Sequence, residues 1–60
     1  MKLINYQVEY TDKSGRHFLY VFYDQADVIK LRRSLKEQGI KATCKKMIYT
    51  ADYTITAIPL

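Results

Sequence analysis

The chain has no tryptophan, one cysteine, one histidine, one proline and two glycines, and the scarcity of cysteine, histidine and glycine removes whole classes of function. A lone cysteine, Cys44, leaves nothing for an internal disulfide framework. Cys44 and His17 together cannot fill the roughly four Cys/His positions of a structural zinc site, and no metal is expected. Gly15 and Gly39 are each used by a turn or a helix stop, which leaves no glycine-rich loop to cradle a phosphate. No cofactor is expected either. The longest apolar run, Phe18-Leu19-Tyr20-Val21-Phe22-Tyr23, falls far short of the ~20 residues needed to span a bilayer. The opening Met1-Lys2-Leu3-Ile4-Asn5 turns polar too early for a signal peptide. A cytoplasmic protein with no membrane partner is the expectation.

What is present is apolar enough to fold. Hydrophobic residues make up 48% of the chain and aromatics 13%, well outside the composition of disordered segments. Residues 1–60 read as one small α+β domain. A chain of this size buries only about 60% of its unfolded surface, so small cores often need a partner to complete them. Ten Lys and Arg against six Asp and Glu give a net charge of +4, which admits nucleic acid as a ligand. The cations are scattered, however, with only Arg32-Arg33 and Lys45-Lys46 adjacent, as on an ordinary solvated surface.

A helix is predicted after Asp24, a good N-cap, with Asp27 placed to suit the helix dipole. Tyr23 and Val28 have hydrophobic-staple spacing. Val28, Leu31 and Leu35 form one apolar stripe, while Lys30, Arg33 and Glu37 face outward. Gly39 ends the helix, with Ile40 folding back on Leu35.

Strands are predicted on both sides. Ile4, Tyr6, Val8 and Tyr10 alternate with Asn5, Gln7 and Glu9, the period of a strand with one buried face. Asp12-Lys13-Ser14-Gly15 reads as a type I turn with a left-handed glycine bulge. Matching apolar partners across this turn pairs Val8 with Leu19, Tyr6 with Val21 and Ile4 with Tyr23. That register sends Phe18, Tyr20 and Phe22 to the opposite face. After the helix, residues 40–49 and 53–58 read as a second hairpin with Ile48 opposite Ile55. Ile40, Ala42, Cys44, Ile48, Ile55 and Ala57 would then face the helix, with Lys46 a blemish among them. Lys41, Thr43, Lys45, Met47, Tyr49, Thr54, Thr56 and Ile58 would face away. Pro59 ends the last strand. The expected architecture is ββαββ: a four-stranded, mainly antiparallel sheet with one helix packed on one face.

Catalytic groups are few. Cys44 falls on the core face in mid-strand, where a free thiol is ordinarily inert. His17 flanks the turn, across from Tyr10. Asp12, Asp24, Asp27 and Asp52 are explained by turns and caps, and neither Glu9 nor Glu37 has an acidic partner for paired acid–base work. No catalytic residue is assigned, and no enzyme activity is expected. One helix covers one sheet face, so the other is left to a partner. The residues assigned to it are Phe18, Tyr20, Phe22, Met47 and Tyr49, and the expected function is protein binding through this face or the sheet edge. The partner is a second copy, giving a homodimer, or a heterologous protein that the chain serves as inhibitor or adaptor. The alternative is nucleic-acid binding, with bases stacked on Tyr20 and Tyr49 and phosphates held by Lys41 and Lys45.

Overall fold

The computed structural model describes residues 2–60. Strand β1 runs Lys2–Thr11, β2 His17–Phe22, helix α1 Gln25–Glu37, β3 Ala42–Thr50 and β4 Ile55–Pro59. All strand pairs are antiparallel, and the sheet order is β2-β1-β3-β4, which places β2 and β4 at the edges. This is the ββαββ α+β fold expected from the sequence.

Helix α1 starts and stops for the reasons its sequence suggests. The Asp24 carboxylate accepts from the Ala26 amide at 2.9 Å, satisfying one of the free donors of the first turn. At the other end Gly39 takes φ +74°, and the Ile40 amide donates to the Leu35 carbonyl at 2.9 Å, closing a Schellman stop. The helix lies over β1, β2 and β3 and makes no close approach to β4. Val28 and Leu35 from the helix, Val8 from β1 and Cys44 from β3 form the buried core. Tyr6, Tyr10, Phe22, Leu31, Ile40 and Ala42 pack around it, half-buried.

Both hairpin registers differ by one residue from the sequence expectation. In the first, Tyr6 pairs with Phe22, Val8 with Tyr20 and Tyr10 with Phe18. The turn type is the expected one, and the slip follows from it. Gly15, at φ +89°, is an extra bulged residue, so Asp12 rather than Thr11 closes the turn, donating to the Arg16 carbonyl at 2.9 Å. His17 accordingly stands across from Thr11, not Tyr10.

The second hairpin repeats this geometry without a glycine. Ile48 pairs with Thr56 rather than Ile55, and Tyr53 occupies the left-handed position at φ +65°. In β4, Thr56 and Ile58 therefore share the helix side, and Ile55 and Ala57 face away, the reverse of the expectation. The assignment within β3 holds: Met47 and Tyr49 lie opposite the core residue Cys44, and Lys46 shares its side.

Asp12, first in its turn, and Asp52, third in its own, each tie their turn together through side-chain hydrogen bonds. Asp12 accepts from the Ser14 hydroxyl and from the Ser14 and Arg16 amides, bonds that hold its carboxyl below the ordinary range. Asp52 is lowered likewise, by Thr50 and Thr54.

A left-handed backbone costs an L-residue about 1–2 kcal/mol, and the Tyr53 ring is almost fully exposed, so its packing offsets little of that cost. Tyr53→Gly should raise stability by about 0.5–1 kcal/mol, read as a higher urea midpoint at unchanged slope.

Candidate protein-binding surface

The register decides which side chains reach which face. Phe18, Tyr20 and Phe22 share a side with Val8, and Phe22 packs against the core beneath the helix. Their expected place on the helix-free face is therefore corrected. They form a ring ladder on the helix side, where Tyr20 and Phe22 are stacked at 6.0 Å, Phe18 and Tyr20 at 6.3 Å, and Tyr10 and Phe18 at 5.2 Å. The spacing along β2 matches the ~6.8 Å rise of two strand residues. Burial, with the Tyr20 hydroxyl and the Asp12 carboxylate nearby, pushes the Tyr10 phenol up. Helix α1 covers only part of this ladder, and Tyr20 keeps 41% of its surface exposed.

The helix-free face carries a different set. Leu19 and Val21 lie there from β2, Leu3 from β1, Met47 and Tyr49 from β3, and Ile55 and Ala57 from β4. Leu3, Leu19, Val21 and Ile55 are 46–61% exposed there, so aliphatic side chains stand where the sequence suggested aromatic ones. Met47 and Tyr49 belong to it as expected. The one-residue register shifts place Leu19, Val21 and Ile55 in the core when read from sequence, and the β1 alternation, read from Ile4 onward, leaves Leu3 without a face. Asn5 sits among these residues, opposite Met47, only 8% exposed, and its Oδ1 has no hydrogen-bond partner.

The four residues expected to hold nucleic acid do not converge. Lys45 and Tyr49 share the helix-free face and Lys41 lies exposed just before β3, but Tyr20 is on the helix side. A base stacked on Tyr20 would be separated by the sheet from one stacked on Tyr49.

The polar end of the helix-free face holds His17 between two oxygens. Its Nδ1 is 3.1 Å from the Thr11 hydroxyl and its Nε2 is 3.4 Å from the Glu9 carboxylate. Hydroxyl, imidazole and carboxylate are the ingredients of a nucleophilic relay. Both side chains, His17 and Glu9, are well exposed, so water competes for every bond, and the cross-strand neighbours Thr11 and His17 account for the contact. Cys44 is buried in the core, as its strand position suggested.

The two sheet edges are unlike. At the two ends of the β3–β4 seam, the Thr50 amide donates to the Thr54 carbonyl and the Leu60 amide to the Cys44 carbonyl, so even-numbered β4 residues bond inward and Pro59 loses an N–H that would point outward. That edge is blunted. In β2 the Asp12–Arg16 bond sets the phase: Phe18, Tyr20 and Phe22 bond inward to β1, and the Leu19 and Val21 amides and carbonyls point outward. From Phe18 to Phe22 this edge has no charge, proline or glycine, and it is apolar on both faces.

Among the described residues no helix is long and apolar enough to cross a membrane. No family model, curated protein or solved structure matches the chain.

Proposed function

We propose that the chain is a small protein-binding module without catalytic chemistry of its own, working in the cytoplasm through the helix-free face of its sheet. The observation that carries this reading is the exposure of Leu3, Leu19, Val21 and Ile55 on one open face, around the half-buried Met47 and Tyr49. Scattered exposed apolar residues are normal on a monomer, but a shared face of them is the composition of an interface centre. An inhibitor or adaptor role suits such a surface, because it occupies a partner without needing reactive groups.

Leu3 and Ile55 flank Tyr49 on neighbouring strands, far from the buried core. The double variant Leu3→Lys/Ile55→Lys should keep its fold by circular dichroism and lose proteins that the tagged wild type captures from cells of the source. Equal capture by both would overturn this surface as the contact.

A second reading, nucleic-acid binding, draws support from helix α1 rather than the sheet. Arg32, Arg33 and Lys36 line one recess on its outer side, and none forms an ion pair among the described residues. Phosphate contact through these cations would weaken steeply with salt. Oligonucleotide binding that is insensitive to salt, or absent at low salt, removes that reading.

A further inference from the structure

The β2 edge carries an inference that extends the protein-binding reading and names the partner at that edge. We infer that β2 pairs with β2 of a second copy of this chain, antiparallel about a two-fold axis through Tyr20, giving a continuous eight-stranded sheet. This rests on the chain being a protein-binding module.

Three observations converge on a second copy rather than an unrelated strand. The first is the order of side chains. Phe18-Leu19-Tyr20-Val21-Phe22 alternates aromatic and aliphatic residues and reads alike from either end. Antiparallel self-pairing centred on Tyr20 therefore sets Phe18 against Phe22, Tyr20 against Tyr20 and Leu19 against Val21. Aromatic meets aromatic and aliphatic meets aliphatic at every position, the cross-strand pairing that stabilises sheets. A strand of arbitrary sequence has no reason to match in this way.

The second observation is the backbone phase. Because Leu19 and Val21 present their amides and carbonyls outward, a two-fold axis through Tyr20 brings Leu19 of each copy opposite Val21 of the other. These two pairs form about four main-chain hydrogen bonds. Tyr20 then falls at a non-hydrogen-bonded position, where facing side chains come closest, and the ring ladder of one chain continues into the other.

The third is the contrast between the edges. β4 carries Pro59 on its outward side, whereas β2 has none of the devices that keep an edge from pairing. Six uncovered residues of this composition would seed aggregation if nothing occupied them. An edge about 20 Å long, with half-exposed rings on one face and Leu19 and Val21 on the other, buries several hundred Å² per chain. That is at the small end of specific interfaces, so dissociation in roughly the micromolar range is expected. Pairing would also set two helix-free faces side by side, doubling the surface proposed above for other proteins.

The full chain tests this by site-directed cross-linking, since its one native thiol, Cys44, is buried. Tyr20→Cys should form a disulfide-linked dimer under mild oxidation at least about 10-fold faster than Leu19→Cys or Ile55→Cys, because only the dyad position brings identical Cβ atoms within bonding reach. Sedimentation supplies a readout independent of that variant: the wild type should be dimeric at about 100 μM, and Val21→Lys should weaken the dimer at least about 10-fold with its fold intact. Equal cross-linking at positions 20 and 19 overturns the register. A wild type that stays monomeric, with Tyr20→Cys no faster than Ile55→Cys, overturns self-pairing. If that monomer still captures proteins that Leu3→Lys/Ile55→Lys loses, the protein-binding reading stands and only the second copy is refuted. If capture fails as well, both fall.

Discussion

Leu35→Ala is expected to remove about half of the stability of the fold. Leu35 is 3% exposed and is one of two helix residues in a buried cluster that, among the described residues, otherwise holds only Val28, Val8 and Cys44. Removing a buried leucine side chain costs about 2–5 kcal/mol, through lost transfer energy and the cavity left behind. A sixty-residue chain has total stability of about 3–9 kcal/mol at the usual value per residue. At the middle of both ranges the substitution removes about half of what holds the fold, and at the low end of stability it removes all of it. Far-ultraviolet circular dichroism and a urea titration read the effect directly, as a lost or strongly shifted transition. Leu3→Ala is the natural comparison, because Leu3 is apolar but 56% exposed and its loss should change stability by less than about 1 kcal/mol.

The second large effect is a contrast between adjacent residues of β2. Tyr20→Pro deletes an N–H that bonds inward to β1 opposite Val8, in the middle of the ladder. Such a loss, with the steric conflict of the proline ring, costs about 3 kcal/mol or more and should unfold the hairpin. Leu19→Pro deletes an N–H that points outward. The structure already accepts this arrangement on the other edge, at Pro59, so the fold should lose only about 1 kcal/mol. Paired thermal melts separate the two. Equal destabilisation by both prolines would mean that the inward and outward phase of β2 is wrong.

Much of this architecture is legible in the sequence, and what is not has identifiable causes. Asp24, the Val28–Leu31–Leu35 stripe and Gly39 define the helix because cap, period and stop agree. The faces of β3 are legible because Ala42 and Cys44 alternate with charged Lys41 and Lys45. The register of the first hairpin is not, because β2 is apolar on both faces: Leu19 and Val21 satisfy the pattern of β1 as well as Phe18 and Tyr20 do. Turn geometry, not side-chain matching, breaks that tie, since with Gly15 as the bulged residue Asp12 pairs with Arg16 and belongs to the ladder rather than the loop. In the second hairpin even that clue is missing, for the left-handed position is filled by Tyr53, which carries no signature of a bulge. The consequence for function is specific. The aromatic row left the open face, and the smaller Leu19 and Val21 took its place.

Amide hydrogen exchange of β2, followed across a dilution series, tests most directly what that edge offers. The Phe18, Tyr20 and Phe22 amides should exchange slowly at every concentration, held by β1. The Leu19 and Val21 amides should be protected when the chain is concentrated and exposed when it is dilute. Fast exchange of Leu19 and Val21 at all concentrations would contradict an edge taken by a second copy, and slow Leu19 beside fast Tyr20 would contradict the strand register itself.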